Sequence, residues 1–278
     1  MSRRGVNRRA VLSASAGGAS ALLLALLPVL ATSAEAGLTA PAIQSVDASP
    51  PAGARVPLSV ALRDETGVPQ TLQAAIGHTP SVLILAYYAC HALCGPVLTL
   101  VGTSLARSGL SAGRDYRLVV VGLDPGRGFR AAKAMKTSQI GEDGELAAAT
   151  SFLTPDQAAL QAITSALGYR SVYDREADQF AHPAVAFVLT ADGRVARMLS
   201  ALGIGAGDLR LALVEAGEGR IGSALDQMRL LCYGFDPAAG VYTPSIHALL
   251  ALGWLLTALA LGGAIAMMGL ARNRASAP

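Results

Sequence analysis

The chain has 278 residues, of which 52% are hydrophobic and 15% are charged, a composition that excludes a disordered protein and indicates a globular one with membrane attachment. Its formal net charge is +3, but removal of residues 1–36, which hold four arginines and one glutamate, leaves a net charge of zero. A neutral chain argues against nucleic acid as a partner.

Residues 1–36 have the pattern of an export signal. The arginines Arg3, Arg4, Arg8 and Arg9 precede an apolar stretch from Ala19 to Ala31, and the small-residue sequence AEA follows at Ala34 to Ala36. The arginine pair in NRRAVL is compatible with twin-arginine export. The alternative is an uncleaved N-terminal anchor.

Strand and helix patterns alternate after a lead-in at residues 37–55, which is rich in Pro, Ala and Gly and is predicted to be extended. Strands are predicted at 54–64, 81–88, 115–125 and 150–154, and helices at 94–110, 129–140, 155–168 and 207–217. Thr154 is predicted to cap the helix at 155–168. The Asp-Gly pair at 192–193 predicts a hairpin over 183–199. A loop-like connection is predicted after residue 217.

This order of elements over residues 56–243 predicts an α/β sandwich with a thioredoxin-like fold, in which a central sheet is flanked by helices.

A second apolar segment, residues 246–270, carries no formal charge. As a helix it would be roughly 37 Å long, sufficient to cross a hydrocarbon core of about 30 Å. Arg272 and Arg274 follow it, so the positive-inside rule places the tail at 271–278 in the cytoplasm. We therefore expect a transmembrane helix in a bacterial inner membrane, with the lipid bilayer as a partner and residues 56–243 on the periplasmic side.

Two cysteines, Cys90 and Cys94, lie where a strand-like run gives way to a helical pattern. If a helix begins near Cys90, both sulfurs project from one face and the Cα atoms lie about 6 Å apart, within disulfide range. A helix N-terminus also lowers the pKa of a cysteine. The pair is compatible with a redox couple, a soft-metal site or a structural disulfide, although so small a loop gains little stability from a disulfide.

Any metal site needs further ligands, and the chain has four histidines: His78, His91, His182 and His247. His78 is predicted to lie in an exposed turn, and His247 at the mouth of the membrane helix. His91 is rotated about 100° from Cys90 on a helix, so it is not placed to join both sulfurs on one metal. His182 precedes a hydrophobic strand and is held extended by Pro183. Spacing alone leaves His182 either structural or a ligand.

The motifs YYACHALC, VVVGLDP, FLT, FAHPAVAFVLTADGRVAR and LLCYGFDPAAGVY occur in an order that resembles the SCO/SenC family over residues 45–243. The resemblance implies a membrane-tethered, copper-binding, thioredoxin-like protein of cytochrome oxidase assembly, with Cys90, Cys94 and His182 as copper ligands. Thiolates suit Cu(I) and imidazole also suits Cu(II), so this ligand set can hold either oxidation state and leave a position open for transfer.

The chain departs from the family pattern at two points. His91 stands where the family often has proline, and Asp124-Pro125 lacks the acidic residue commonly seen shortly after it. The third cysteine, Cys232, is predicted to be a packed thiol, with resolution of a Cys90 or Cys94 disulfide or copper hand-off as the alternative.

The sequence therefore predicts an exported copper chaperone that delivers copper to the copper-site subunit of cytochrome c oxidase. A copper donor or a periplasmic thiol reductant would be its other partner. The alternative function is a thiol-disulfide oxidoreductase that uses Cys90 and Cys94 as a redox-active pair without His182. A thiol peroxidase would need a Thr and an Arg beside its cysteine, which the motif lacks.

Overall fold

The structure, a computed structural model, describes residues 38–90, 93–218, 226, 230, 233–236, 240–244, 250, 253–263 and 267–268. The predicted export signal, the cytoplasmic tail, His91, Cys232 and His247 lie outside the described residues.

Helices and strands alternate along the described residues. The helices are α1 Ala40–Gln44, α2 Leu72–Ile76, α3 Cys94–Ala106, α4 Gly128–Gln139, α5 Glu145–Ala148, α6 Gln157–Ala166 and α7 Ala206–Ala216. The strands are β1 Asp47–Ala48, β2 Ala61–Arg63, β3 Pro69–Thr71, β4 Ser81–Ala86, β5 Arg117–Gly122, β6 Thr150–Pro155, β7 Tyr169–Arg170, β8 Val172–Asp174, β9 Gln179–Ala181, β10 Val185–Leu189, β11 Val195–Ser200, β12 Tyr233–Asp236 and β13 Val241–Pro244.

A seven-stranded mixed sheet lies at the centre, with strand order β11-β10-β4-β5-β6-β2-β3. The strands β4, β5 and β6 run parallel, and their neighbours on either side are antiparallel. Every residue of β4 is buried, and after Ser81 its sequence is continuously apolar, as in strands covered on both faces. Val82 and Ile84 face the layer of α3, α4 and α7, whereas Leu83 and Leu85 face α2 and α6. The predicted α/β sandwich with helices on both faces of a central sheet is confirmed.

The lead-in and the first predicted strand differ from expectation. Residues 37–55 are not wholly extended, because Ala40–Gln44 form the short helix α1. The predicted strand at 54–64 is reduced to β2 and an isolated bridge between Arg55 and Arg194. The reason is a turn at Pro57, whose carbonyl accepts a hydrogen bond from Val60 N at 3.4 Å.

The cap of α6 is Asp156, so the prediction of Thr154 is wrong. The Asp156 carboxylate accepts a hydrogen bond from Ala159 N at 2.7 Å. Thr154 and Pro155 instead continue β6 and pair with β2.

The sequence pattern did not predict the hairpin of β2 and β3, nor two further hairpins. One is formed by β8 and β9, and the other, β12 and β13, lies in the connection that was predicted to be loop-like. In the second hairpin the rings of Phe235 and Tyr242 lie 5.4 Å apart and pack against the core. This hairpin is therefore part of the domain.

No helix within the described residues is long and apolar enough to cross a membrane. The predicted span at 246–270 is described only at residues 250, 253–263 and 267–268, all of them helical. The transmembrane helix stays a prediction.

Candidate functional site

Cys90 and Cys94 lie between the end of the buried strand β4 and the start of the long helix α3. The N–H of Cys90 donates to the carbonyl of Tyr87 at 3.0 Å, which forms a turn ahead of the helix. Cys94 is the first residue of α3, as the predicted helix at 94–110 requires, and the alternative of a helix that begins near Cys90 does not hold. The turn still brings the sulfurs together, since a hydrogen bond joins the thiols of Cys90 and Cys94. Cys90 is half-buried and Cys94 is buried.

The Cys94 thiol has a raised pKa. Burial is the main cause of this raised pKa. The prediction that the helix N-terminus lowers the pKa is therefore wrong for Cys94, because the loss of solvent around the sulfur outweighs the helix dipole. Cys94 is a thiol at neutral pH.

His182 lies beside Cys94 although the two residues are 88 positions apart. It follows β9 and precedes β10, where Pro183 keeps the backbone extended. Its Nε2 atom is 3.1 Å from the sulfur of Cys94. Burial lowers the pKa of the His182 imidazole, and the carbonyl of Pro183 offsets this only in part. His182 is therefore neutral at neutral pH, the form in which imidazole binds metals.

Tyr169 contacts the other side of the His182 ring. Its hydroxyl lies 3.0 Å from Nδ1 of His182 and donates to the carbonyl of Pro183 at 3.1 Å. The tyrosine is buried, and its ring meets Phe187 edge-on at 6.3 Å. Sequence reasoning missed this residue, because no spacing pattern connects a tyrosine on β7 with a histidine 13 positions later.

A cluster of polar side chains stabilises the β8–β9 hairpin that precedes His182. We name this cluster the hairpin clamp, and it consists of Tyr87, Arg127, Tyr173 and Asp178. The Asp178 carboxylate accepts hydrogen bonds from Tyr173 at 2.5 Å, from Tyr87 at 2.9 Å and from Arg127. The Arg127 guanidinium also lies 5.4 Å from the centre of the Tyr87 ring. These contacts tie the β8–β9 hairpin to the turn before Cys90 and to the loop after β5.

The clamp sets the ionisation of its carboxylate. Hydrogen bonds from Tyr173, Arg127 and Tyr87, in that order, lower the pKa of Asp178 to about 2. Asp178 is therefore charged throughout the physiological range.

An apolar cleft of about 430 Å³ contains the sulfurs and the imidazole. Apolar side chains make up most of its lining, among them Phe180. Ile43 and Val46 of the lead-in are among the lining residues, so the segment that precedes the domain reaches the site. Ile43 and Leu93 are more than half exposed at the rim. His78 does not line the cleft and is exposed in the turn after α2, as predicted.

The residues of this site form a hydrogen-bonded chain from Cys90 through Cys94 to His182. Among the described residues, no group of three or more His, Cys, Asp or Glu side chains is arranged to hold a metal ion. The chain of thiols nevertheless offers two sulfurs and a neutral imidazole, a donor set that suits a soft metal. A metal ion would replace the thiol protons, which must leave first.

Comparison with known proteins gives similarity in structure but not in sequence. No protein-family model matches the chain, and no curated protein does. An electron-transfer candidate from Aquifex aeolicus VF5 matches with a TM-score of 0.52 and 22% identity, over 59% of this chain and 93% of that one. BsSco, described as a member of the Sco family of cytochrome c oxidase assembly proteins with a disulfide switch, matches with a TM-score of 0.50 and 17% identity, over 63% of this chain and 98% of that one.

A copper-bound structure of ScoI from Bradyrhizobium japonicum matches with a TM-score of 0.45 and 18% identity, over 55% of this chain and 94% of that one. BsSco, a Sco protein, is among the solved structures whose fold this chain resembles. The predicted resemblance to the SCO/SenC family is confirmed at the level of its thioredoxin-like fold.

Proposed function

We propose that the chain is a copper chaperone that binds copper through Cys90, Cys94 and His182 and delivers it to the copper-site subunit of cytochrome c oxidase. The observation that carries the proposal is the 3.1 Å contact between Cys94 and His182 beside the second thiol of Cys90. The fold brings a distant histidine to this cysteine pair. Two thiolates and one imidazole suit Cu(I), and the imidazole also accommodates Cu(II).

The surroundings of Cys90, Cys94 and His182 support transfer of copper to another protein better than storage of copper. A set of three ligands leaves a coordination position that a ligand of the acceptor can occupy, so copper passes between proteins without entering water. Cys90 is half-buried, whereas Cys94 is buried. We infer that an acceptor meets copper from the side of Cys90.

We also propose that the domain is exported and tethered by the apolar segment at 246–270. The support comes from its uninterrupted apolar sequence and from Arg272 and Arg274 after it. Within the described part of this segment, Trp254 and Leu259 are 78% and 64% exposed, which fits side chains that face lipid. A protease-protection assay on spheroplasts tests the topology: the domain should be digested from outside, and its survival there would contradict the proposal.

Copper titration tests the ligands. The full-length chain, reduced and kept without oxygen, is titrated with Cu(I) against a chromophoric chelator. We expect one tightly bound copper per chain, and large losses of affinity in Cys90→Ser, Cys94→Ser and His182→Ala. His78→Ala is the matched control, because His78 is exposed outside the cleft. Stoichiometric tight binding by a Cys90→Ser/His182→Ala double variant would refute the ligand assignment.

A thiol-disulfide oxidoreductase is the second candidate, favoured by the hydrogen bond between the two thiols. In that reaction the Cys90 thiolate attacks a disulfide of the target and forms a mixed disulfide, and one target thiolate leaves. The Cys94 thiolate then attacks the Cys90 sulfur, so a Cys90–Cys94 disulfide forms and the target is released with both cysteines reduced.

Oxidase assembly separates the two functions. In cells that lack the native gene, oxidase activity is measured after expression of His182→Ala or of Cys94→Ser. A chaperone needs both residues, whereas full activity with His182→Ala and none with Cys94→Ser would favour the oxidoreductase.

A thiol peroxidase gains no support from the site, because the described residues that line the cleft include no Thr and no Arg.

A further inference from the structure

The imidazole of His182 is held from the side that faces away from Cys94. Tyr169 O is 3.0 Å from Nδ1, and the carbonyl oxygen of Pro183 is 3.2 Å from the same nitrogen. The Tyr169 hydroxyl also lies 3.1 Å from that carbonyl. Nδ1 thus has two oxygen neighbours, and these oxygens are hydrogen-bonded to each other.

The direction of these hydrogen bonds decides which nitrogen carries the proton. A carbonyl oxygen can only accept, so the Tyr169 hydroxyl donates its proton to Pro183 and turns a lone pair toward Nδ1. Both neighbours of Nδ1 then present lone pairs, and Nδ1 must carry a hydrogen to avoid repulsion. A neutral imidazole has one N–H, so Nε2 is left with a lone pair that points at the sulfur of Cys94.

We infer that Tyr169 is a positioning residue, which fixes the Nδ1–H form of His182 and thereby keeps Nε2 available as a ligand. Its own position is rigid, since the ring is buried and packs edge-on against Phe187. The copper part of this inference rests on the proposed function, whereas the assignment of the proton does not. Partners that orient a metal-binding histidine typically contribute a 10- to 100-fold factor in affinity.

The first test reads the proton directly on the metal-free protein. Imidazole ¹⁵N NMR of the full-length chain at neutral pH should show the Nδ1–H form of His182, and Tyr169→Phe should increase the Nε2–H form. Tyr242→Phe is the matched control. The Tyr242 hydroxyl donates to Glu215 at 2.6 Å, and Tyr242 lies on the β12–β13 hairpin, which does not line the cleft. An unchanged ratio of the two forms in Tyr169→Phe overturns the inference.

The second test is a double-mutant cycle on Cu(I) affinity. Tyr169→Phe should weaken binding by about 10- to 100-fold in the native background and cause no further loss in His182→Ala. The same loss in both backgrounds would show that Tyr169 acts through the fold and not through His182, and would overturn its positioning role. If the unaltered chain binds no copper, the proposed function fails, and the NMR result still decides whether Tyr169 fixes the tautomer.

Discussion

The cysteines and the histidine of the site are carried by regions of opposite character. Cys90 and Cys94 lie between a strand that is wholly buried and a helix that packs its apolar face on the sheet. His182 follows β9, whose three residues are only partly buried, in a short hairpin fixed by side-chain hydrogen bonds. The hydrophobic core positions the cysteines, whereas the hairpin clamp and Tyr169 position the histidine.

This difference implies that the two halves of the site fail in different ways. Substitution of the core side chains that pack next to the cysteines lowers the stability of the whole domain, because these side chains belong to its hydrophobic core. Substitutions in the β8–β9 hairpin let His182 leave its position while the sheet and its helices stay folded. Variants in the two regions should therefore separate loss of fold from loss of metal affinity.

Leu98→Ala should have the largest effect. Leu98 is fully buried on α3, one turn after Cys94. Loss of its side chain should lower the free energy of unfolding by about 2–5 kcal/mol, through lost burial and the cavity left behind. Denaturant unfolding measures the loss. A change below about 1 kcal/mol would contradict the claim that the core holds this region.

Phe180→Ala should have the next largest effect, on copper affinity more than on stability. Phe180 joins the hairpin to the turn before Cys90, since its ring lies 5.2 Å from that of Tyr87, and it packs within the hairpin at 4.8 Å from Tyr173. We expect about a tenfold weaker affinity for Cu(I), which corresponds to about 1.4 kcal/mol. Comparison of its unfolding curve with that of Leu98→Ala provides the control. A larger loss of stability than in Leu98→Ala would erase the distinction between the two regions.

The same contrast explains what the sequence could reveal. The buried strand β4 and the helix from Cys94 follow from runs of apolar residues with a clear period, and Asp192-Gly193 marks the β10–β11 hairpin. These features depend on neighbours in the chain. A helix that begins near Cys90, which the sequence left open, does not form because a turn at Tyr87 precedes α3.

The β8–β9 hairpin that precedes His182 could not be predicted from such local sequence patterns. Its strands have three residues each and no apolar alternation, and its stability comes from partners such as Arg127 that are distant in sequence. Tyr169 likewise meets His182 only in the folded chain. The resemblance of ordered motifs pointed to His182, but its supporting residues required the structure.

Arg127→Ala should have a smaller effect. It removes the cation that binds Asp178 while leaving the hydrogen bonds from Tyr87 and Tyr173. Because this ion pair is largely exposed, we expect a two- to five-fold weaker affinity for Cu(I), on the order expected of exposed pairs, and an unchanged melting temperature. Arg55→Ala is the matched control, since it breaks an exposed ion pair with Asp192 on a turn that does not line the cleft. An equal loss of affinity in Arg55→Ala would remove any special role for the clamp.

We expect the smallest effect from a fall in pH, which acts on the hairpin clamp by protonating Asp178. The pKa of Asp178 is lowered from an ordinary value of 3.8 to about 2. A group whose pKa is depressed by folding stabilises the folded state above its unfolded pKa, and this contribution is lost as the pH falls through the folded pKa. We therefore expect the clamp to be unaffected between pH 7 and about pH 4 and to weaken only as the pH approaches 2.

Carbon NMR of the Asp178 carboxyl group in the metal-free chain measures this directly. The titration midpoint should lie near 2 in the unaltered chain and should rise in Tyr173→Phe, which removes the hydrogen bond that lowers the pKa most. It should also rise in Arg127→Ala. A midpoint near the ordinary value in the unaltered chain would mean that Asp178 does not hold the hairpin. The position of His182 would then depend on Tyr169 and the packing of Phe180 alone.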